Sequence, residues 1–385
     1  MTSAQHAARS PWTRGPVTLH TGDALRILTT MPDASVDCIV TSPPYWGLRD
    51  YGTGHWTGGQ TDCAHDGAPS LAAARRADQQ RRCPTCDAVW GDQQHGLETT
   101  LAEYLHRLVT VFGEAKRVLH PTGTLWLNLG DCYATGETGR ADAPRRYPQL
   151  NEHQTARRDR RLPQRSGLVS KNLLGVPWRT ALALQADGWM LRNAIVWAKN
   201  AMPESVRDRL STSYEMIFLL VRGPRYFFDL DAIRIPAKGT PAPRRRNTPR
   251  SGAPSGECRA KYASAEPAVF VGKPHGAAML PGHRHDTVHP KGKNPGSIWP
   301  MSTRPLKEAH FAAFPVDLPL RCIAAGSRPG GTVLDVFSGA ATTGLAALQL
   351  GRRYVGIELN PEYDRLARSR LAAYLHGAEA DDGRP

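Results

Sequence analysis

Six consecutive residues, Thr-Ser-Pro-Pro-Tyr-Trp at 41–46, combine oxygens and rings that could act on a planar amino group. They follow the apolar, β-branched run 35–42, which predicts a buried strand. The two prolines end the strand ladder and fix the backbone, so the Ser42 hydroxyl and the Pro43 carbonyl should project rigidly from the sheet edge. These oxygens could hold amino hydrogens and favour a pyramidal nitrogen while Tyr45 stacks on the ring. The chain has no Pro-Cys dipeptide of the kind that attacks a ring carbon of cytosine, which agrees with chemistry that uses no covalent nucleophile.

A second run, "TVLDVFSGAATTG" at 332–344, predicts a hydrophobic strand that ends in an acidic residue and a small-residue turn that leads into a helix. Ligands bind outside the carboxyl ends of strands in open α/β sheets, where a tight turn lets backbone amides approach them. Glu358 ends the next predicted strand, where a carboxylate can accept hydrogen bonds from both hydroxyls of a ribose. The pairing predicts an adenosine cofactor, and the alternative is an ordinary tight connection.

Phosphate-binding motifs fit this turn poorly. A P-loop requires a Gly-Lys-Ser/Thr sequence, and the turn contains no lysine. The dinucleotide pattern G-x-G-x-x-G is incomplete, because Ala340 and Ala341 lie between Gly339 and the next glycine.

Four further residues form two close pairs of metal ligands, Cys63 with His65 and Cys83 with Cys86. Three thiolates and one imidazole complete the tetrahedral shell of a structural zinc, so the segment predicts a zinc knuckle. The alternative is three unrelated thiols and a surface histidine. A deaminase-type catalytic zinc is disfavoured because its His-x-Glu pattern is absent. The seven cysteines are too scattered for a disulfide scaffold.

The formal net charge of +14 is concentrated in two segments. Residues 139–171 hold nine Lys/Arg against three Asp/Glu, and residues 236–308 hold thirteen against four. A localised positive field suits an anionic polymer such as DNA, because polyphosphate binding depends on counterion release. Solvated loops without a partner are the alternative.

Strands and helices alternate along the rest of the chain. Residues 99–119 carry apolar side chains at helical spacing, and the run "TLWLNLG" at 124–130 predicts a buried strand after a turn at Pro121 and Gly123. The same alternation restarts at Pro315. It predicts an α/β fold with a mostly parallel twisted sheet and helices on both faces. The longest apolar run, 216–221, is too short to span a bilayer, so we expect a cytoplasmic protein without membrane contact.

The run "TSPPYW" followed by "GLRDYG" resembles motif IV of the amino-methyltransferases of DNA, and "DVFSGAATTG" resembles their motif I. The motif order, with "TGD" at 21–23 first, then the catalytic run, "GTLWLNLGD", a basic variable region, "HFAAFP" and the cofactor run, is the circularly permuted order of the β class. The resemblance covers 17–235 and 305–375. It implies a Rossmann-like methyltransferase fold, S-adenosylmethionine as cofactor, and a flipped-out base in double-stranded DNA as substrate.

The resemblance also implies roles for individual residues. Catalysis falls to Ser42, Pro43, Pro44 and Tyr45, and cofactor binding falls to Asp23, Phe314, Pro315, Asp335, Phe337, Ser338, Gly339, Thr342, Thr343 and Glu358. Among these motifs Ala341 departs from the family pattern, which commonly has Gly there; Ala is tolerated unless its φ must be positive. We expect DNA contacts from Trp46, Arg244, Arg245 and Arg246, and the segment 204–215 resembles one near the DNA-facing cleft, although a polar loop between strands fits it nearly as well.

Ser42 as first residue of its motif resembles the cytosine-N4 members, whereas Asp is commoner among adenine-N6 members. Cytosine N4 is therefore favoured, with adenine N6 as the alternative. Methylation of RNA or of a protein amide fits less well, because the protein-amide motif usually begins with Asn. A zinc-dependent nucleic-acid-binding protein without catalysis is the alternative of a different class, and the intact run Ser42–Tyr45 together with Glu358 disfavours it.

These inferences predict five segments and a set of partners. The partners are double-stranded DNA and a cognate restriction endonuclease, and the chain is a monomer or homodimer of bacterial or phage origin near the nucleoid. The predicted segments are a catalytic half at 17–62, a zinc-knuckle insert at 63–95, a core at 96–235 with a mobile loop at 135–170, a target-recognition insert at 236–304, and a cofactor half at 305–376.

Overall fold

The computed structural model describes residues 10–48, 50–60, 62–65, 82–134, 166–200, 204–236, 289–302 and 314–382. Its large sheet contains β1 (Trp12–Arg14), β2 (Val17–Thr21), β3 (Val36–Thr41), β6 (Leu119–Leu129), β7 (Met190–Ala198), β8 (Tyr214–Val221), β9 (Ile298–Pro300), β10 (Thr332–Asp335) and β11 (Arg353–Glu358). A separate two-stranded sheet pairs β4 (His55–Thr57) with β5 (Val89–Gly91). The helices are α1 (Ala24–Thr30), α2 (Leu101–Val118), α3 (Val176–Ala186), α4 (Asp317–Gly326), α5 (Thr342–Gln349) and α6 (Pro361–Asp382).

The strands of the large sheet lie in the order β1-β2-β11-β10-β3-β6-β8-β7-β9. Pairing is parallel from β2 through β11, β10 and β3 to β6, whereas β8 runs antiparallel to both of its neighbours. The mostly parallel sheet predicted from the sequence is therefore confirmed. β3 precedes β10 in the chain by almost 300 residues yet lies directly beside it, so the ends of these two strands meet at one edge of the sheet.

Alternate residues of each strand face two separate apolar cores, as the period of two in a strand requires. In β6, Leu125 and Leu127 pack with α1, α2 and α3, whereas Trp126 packs with α4, α5 and α6. Helices therefore cover both faces of the sheet, and the central strands β3 and β8 are buried on both sides over most of their length, which explains the apolar runs 38–40 and 216–221.

Local signals fix the ends of α2 as expected. The Thr100 side chain accepts from the backbone N–H of Glu103, whose carboxylate accepts from the Thr100 N–H, which forms a capping box. The turn predicted at Pro121 and Gly123 does not separate α2 from a new strand but interrupts the pairing of β6 with β3. Val36 of β3 pairs with Leu119, whereas Cys38 pairs with Thr124. The intervening residues of β6 therefore bulge out of the pairing.

Four strands were not predicted from the sequence, namely β1, β4, β5 and β9, and each is only three residues long. Too few residues carry an alternating pattern in such short strands for the sequence to reveal them. The chain divides into a large unit, Met1–Ile233 with Pro295–Pro385, and a small unit, Arg234–Asn294, in which Ile235 and Lys293 form an isolated antiparallel bridge. Within the described ranges, no helix has both the length and the apolar character required to cross a membrane.

Candidate functional site

The carboxyl ends of β3 and β10 form the centre of the site. The Thr41 hydroxyl donates to Asp335 Oδ1 at 2.6 Å, which ties the end of one strand to the end of the other. A cavity of about 500 Å³ opens at this edge and is lined both by Ser42, Pro43, Pro44 and Tyr45 and by the turn 335–340. The structure therefore brings the two predicted motifs to the walls of one cavity.

Asp335 is a buried carboxylate held by neutral donors. Besides Thr41, the Thr343 hydroxyl donates to Oδ2 at 2.7 Å and the Phe337 N–H donates to Oδ1 at 3.1 Å. Burial raises the pKa of Asp335 to about 6, and these hydrogen bonds act in the opposite direction. The three donors fix the carboxylate at the start of the cofactor turn.

Glu358, at the end of β11, closes the opposite side of the same turn. Its Oε2 accepts from the Gly339 N–H at 2.7 Å and its Oε1 accepts from the Asn360 N–H at 2.8 Å. Burial raises the pKa of Glu358 to about 7. Because each carboxylate oxygen has two lone pairs, both oxygens retain capacity for a ligand hydroxyl.

The turn that leads into α5 contains two left-handed residues. Gly339 has φ +52° and Ala341 has φ +56°. The positive φ at Ala341 meets the condition under which alanine is strained, so the departure from the family's usual glycine has a structural cost. The Thr342 hydroxyl lines the cavity and is buried without a hydrogen-bond partner among the described residues. A ligand atom in the cavity could satisfy it.

The other predicted cofactor residues divide into two groups. Asp23, Phe314, Phe337 and Ser338 line the cavity. Thr343 is fully buried beneath the turn and bonds Asp335, while the carbonyl of Pro315 accepts from the Leu318 N–H at the start of α4. These two residues support the site and do not border the cavity.

Tyr45 is held by polar side chains from two other strand ends and by Ser42, which follows the same strand. Its hydroxyl donates to Glu215 Oε2 at 2.7 Å and lies 3.2 Å from Asn128 Oδ1, and the Ser42 hydroxyl is 3.4 Å away. Burial and the neighbouring carboxylate raise the pKa of Tyr45 well above its ordinary value, so the phenol stays protonated. Gly130 passes beside the ring, where an added Cβ would lie 2.6 Å from a ring carbon.

Sequence analysis did not single out Asn128, Lys199 and Glu215, which all line the cavity. The Asn128 amide donates to Glu215 Oε2 at 3.1 Å, and the Lys199 ammonium forms an ion pair with Glu215 Oε1. Lys199 also lies 4.5 Å from the centre of the Trp197 ring. The available signal was a polar residue at the end of an otherwise apolar strand, and Glu215 is the last residue of the predicted segment 204–215.

Trp46 contradicts its predicted role in DNA contact. The side chain is 1% exposed and packs in the core beside α2, and its indole N–H donates to the Glu98 carbonyl at 2.9 Å. The apolar ring is more stable in this core than at the surface, so Trp46 is a packing residue. Pro44 is also held by α2, because the Tyr104 hydroxyl of that helix donates to the Pro44 carbonyl at 3.0 Å.

The four predicted metal ligands lie together in a Cys/His module, by which we mean the described residues of 51–65 and 82–96. The ligand atoms of Cys63, His65, Cys83 and Cys86 all lie within 4.8 Å of one another. The ligands lie in the segments that follow β4 and precede β5, and His65 stacks on Trp56 of β4 with ring centres 5.1 Å apart. Backbone N–H groups of Thr85 and Cys86 donate to Cys83 and lower the pKa of its thiol.

His95, in the same module, is a further residue of the cavity wall that sequence analysis did not single out. Its ring meets Phe337 edge to face at 5.2 Å, and its Nδ1 is buried without a hydrogen-bond partner in the part of the chain that the structure describes. Burial, with a smaller effect from Arg107, lowers the pKa of His95 to about 3, so the ring is neutral at physiological pH.

Several predicted features lie outside the described residues. Arg244, Arg245 and Arg246 belong to this group, together with most of the predicted loop 135–170. The described part of that loop begins at Ser166, and Lys171, directly after the loop, pairs with Asp208 at 2.6 Å.

Comparison with known proteins agrees with this geometry. The sequence profile of the family described as DNA methylase (N6_N4_Mtase) matches residues 36–369. The type II methyltransferase M.XycI of Xanthomonas campestris pv. cyanopsidis is 38% identical over 356 residues, which cover 92% of this chain and 87% of that protein. The type II methyltransferase M.SmaI of Serratia marcescens is 35% identical over 351 residues, which cover 91% and 89%.

A solved structure shares the fold. The cytosine-N4-specific PvuII DNA methyltransferase matches with a TM-score of 0.51 at 15% sequence identity, over 93% of this chain and 87% of that one. This likeness is one of architecture. Because the family profile matches most of the chain and the relatives are similar over most of their length, the chain belongs to the N6/N4 DNA methylase family and is a DNA methyltransferase.

Proposed function

We propose that this enzyme transfers the methyl group of S-adenosylmethionine to the exocyclic amino group of a flipped-out base in duplex DNA, with cytosine N4 as the favoured target. The observation that carries the proposal is the 2.6 Å hydrogen bond from Thr41 to Asp335. It joins the end of the catalytic strand to the start of the cofactor turn, so a methyl donor and a base in the shared cavity would lie in direct contact.

The residues present fit S-adenosylmethionine. Glu358 has free acceptor capacity for the ribose hydroxyls, Phe337 offers an apolar ring, and the orphaned Thr342 hydroxyl offers a donor. The cavity of about 500 Å³ lies within the range usual for sites that bind molecules of this size. When bound, this cofactor supplies an electrophilic methyl group on its sulfonium.

The chain's own task is to expose the lone pair of the amino group. An amino nitrogen on an aromatic base is a poor nucleophile while its lone pair is delocalised into the ring. The Ser42 hydroxyl and the Pro43 carbonyl are proposed to accept the amino hydrogens and favour a pyramidal nitrogen. As the nitrogen gains the methyl group it loses one hydrogen as a proton, which passes to solvent water. Tyr45, fixed by Glu215, stacks on the flipped base.

Two features favour cytosine over adenine. Ser42 stands at the first position of its motif, as in the cytosine-N4 members it resembles. In addition, Lys199 presents an ammonium at the cavity wall, and cytosine offers the O2 acceptor where adenine has only a C–H group. Adenine N6 remains the alternative target. The PvuII enzyme named above is cytosine-N4-specific, whereas the 29% identical YhdJ of Escherichia coli is named a DNA adenine methyltransferase.

The remaining predicted features complete the proposal. We infer a circularly permuted β-class order, a target-recognition insert at 236–304 in which Arg244, Arg245 and Arg246 contact DNA, and a basic loop at 135–170 that contributes phosphate contacts. As its relatives are type II methyltransferases, a restriction endonuclease with the same recognition sequence is the proposed partner. The substrate implies action in the cytoplasm at the nucleoid.

We also propose that Cys63, His65, Cys83 and Cys86 bind one structural zinc ion. Three thiolates and one imidazole are a closed zinc shell, and backbone N–H groups donate to the Cys83 sulfur, as they do to thiolate ligands. Elemental analysis of the purified protein should find one zinc per chain. A metal-free protein with normal thermal stability would exclude this part of the proposal.

Expression in a host that lacks DNA modification tests the main proposal. Sequencing of the host DNA with detection of modified bases should find N4-methylcytosine at one short recognition sequence. N6-methyladenine at such a sequence would select the alternative target. Absence of any modified base from an expressed, folded enzyme that binds S-adenosylmethionine would contradict the assignment to DNA.

A further inference from the structure

We propose that metal bound to the Cys/His module holds one wall of the cofactor cavity in place, so that metal loading sets the affinity for S-adenosylmethionine. The inference rests on the proposed function, because it concerns the same cofactor. A metal that only stabilised the module would leave cofactor affinity unchanged, whereas the proposed metal couples two binding sites.

The first step is the contact between module and cavity. Five residues of the Cys/His module line the cavity, namely Tyr51, Thr53, Gln93, Gln94 and His95. Two of them contact the cofactor half directly. His95 meets Phe337 edge to face at 5.2 Å, and the Tyr51 carbonyl accepts from the Asn360 side-chain amide at 3.1 Å. The module therefore faces the turn at which we propose that the cofactor binds.

The second step is the link from these wall residues to the metal ligands. One wall segment leads into β4 and the other leaves β5, so both lie at the same end of this antiparallel sheet, where hydrogen bonds tie them together. The Thr53 hydroxyl and the Gln94 N–H both donate to Asp92 Oδ1, at 2.5 and 2.9 Å, and the Tyr51 N–H donates to Gln94 Oε1 at 2.7 Å. The geometry of the wall thus depends on β4 and β5 staying paired.

The third step is that, apart from the metal ligands, this sheet is held by few side-chain contacts, chiefly the cross-strand pair Trp56 and Trp90, whose rings meet edge to face at 5.4 Å. Each strand has three residues, and an isolated two-stranded sheet is marginally stable at best. Among the described residues of 55–65 and 82–91, only Cys83 and Ala88 have buried apolar side chains. Trp56, in β4, stacks directly on the ligand His65, and Gly59 lies so close to Cys86 that a Cβ would approach its sulfur to 2.6 Å. Metal binding would therefore supply much of the ordering free energy of the sheet.

The fourth step is the size of the effect that metal loss has on cofactor affinity. If metal loss leaves about a tenth of the molecules with an ordered wall, the apparent Kd for cofactor rises about tenfold, because only the ordered fraction binds. Arg107 anchors the second wall segment independently, since its guanidinium donates to the carbonyls of Gln93 and Gln94 at 2.8 and 3.1 Å. The expected effect is therefore a graded loss of affinity with the fold of the large unit retained.

Calorimetry on the full chain tests the coupling. Zinc is removed with a chelator, and binding of S-adenosylhomocysteine, the non-reacting product, is measured before removal, after removal and after Zn²⁺ is added back. The Kd should rise about tenfold and return on reloading. Cys86→Ser should reproduce the stripped protein, and Cys132→Ser, which makes the same chemical change outside the cluster, should leave the Kd unchanged. An unchanged Kd after verified zinc removal would overturn the inference.

A reciprocal measurement avoids dependence on a variant that fails to fold. Coupling between two binding sites is symmetric, so saturating S-adenosylhomocysteine should strengthen zinc retention against a chromogenic chelator by the same factor. Equal zinc affinity with and without the product would overturn the coupling while leaving methyl transfer untouched. Failure to bind S-adenosylhomocysteine at every zinc loading would instead overturn the proposed function together with this inference.

Discussion

The two sides of the cavity hold their carboxylates in different ways. On the cofactor side, Asp335 and Glu358 are surrounded by neutral donors, namely backbone N–H groups and threonine hydroxyls. On the base side, Glu215 is paired with the Lys199 ammonium and accepts from Asn128 and Tyr45. The carboxylates on the proposed cofactor side should therefore respond to protonation, whereas the carboxylate on the proposed base side is paired with a positive charge and holds one aromatic ring.

Loss of the Tyr45 ring should impair the proposed base side alone, and more severely than any other change. Tyr45→Ala removes the stacking ring and should lower kcat by up to about 100-fold, because stacking of one base on an aromatic ring contributes about 1–3 kcal/mol. Cofactor affinity should stay within about twofold, because the ring contributes to neither Glu358 nor the turn. Single-turnover kinetics and calorimetry measure the two quantities. Tyr45→Phe is the matched control that keeps the ring, and parallel loss of both quantities in Tyr45→Ala would contradict the division of the site.

The next effect tests whether the charge pair acts as a unit. Glu215→Gln weakens the acceptor of the Tyr45 hydroxyl and leaves Lys199 without its counter-ion, so kcat should fall about tenfold. Lys199→Met should give a similar loss. The double variant should be about as impaired as the worse single variant, because coupled residues are not additive. Losses that multiply in the double variant would show that the two side chains act independently.

A smaller effect distinguishes the cofactor side by its pH dependence. The pKa of Glu358 is raised to about 7, so the carboxylate takes up a proton as pH falls through neutrality. The protonated form is a poorer acceptor for ribose hydroxyls, so cofactor affinity should weaken from pH 8 to pH 6. The loss approaches tenfold for each pH unit below the pKa. Calorimetry across this range should give a flat, weaker profile for Glu358→Gln, and a wild-type Kd independent of pH would contradict this role.

The sign for stability is opposite to that for binding. A carboxyl group whose pKa is raised in the folded state destabilises the fold where it is ionised, so its contribution improves as pH falls from about 7 toward its unfolded value. Binding and stability should therefore change in opposite directions across this interval.

The smallest effect concerns strain in the cofactor turn. Ala341→Gly relieves a left-handed alanine, worth about 1–2 kcal/mol. It also loses a buried methyl group and adds unfolded-state entropy, which together cost about 1.5 kcal/mol. The free energy of unfolding should change by less than about 1 kcal/mol in denaturant titrations, whereas Ala341→Val should be clearly destabilised, since β-branched residues disfavour positive φ. A loss above about 2 kcal/mol for the glycine variant would refute the strain at this position.

The sequence predicted the cofactor side more completely than the base side, for a physical reason. Asp335, Gly339 and Thr342 lie in one continuous turn, and Glu358 ends the adjacent strand, so local pattern and spacing identify them. Asn128, Lys199 and Glu215 come from the ends of three strands, and only the antiparallel course of β8 brings its amino end beside the carboxyl end of β6. Such strand order is a tertiary property that periodicity does not reveal.

The secondary structure was likewise predictable in some parts of the chain and not in others. Long apolar strands and the amphipathic α2 were predictable because each carries a clear period, whereas the three-residue strands of the Cys/His module do not. The motif suggested the wrong role for Trp46, because its position beside the proposed catalytic residues indicated DNA contact although its ring is buried in the core. His95 was missed because a single histidine in a polar segment carries no signal until its packing against Phe337 is known.

The identity of the methylated atom is the most direct test of methyl transfer to an exocyclic amino group. Duplex DNA containing the recognition sequence is incubated with the enzyme and S-adenosylmethionine labelled in its methyl group, and the DNA is digested to nucleosides for mass spectrometry. The label should appear in N4-methylcytosine. Label in 5-methylcytosine, which forms at a ring carbon, would contradict the amino chemistry assigned to Ser42, Pro43 and Tyr45.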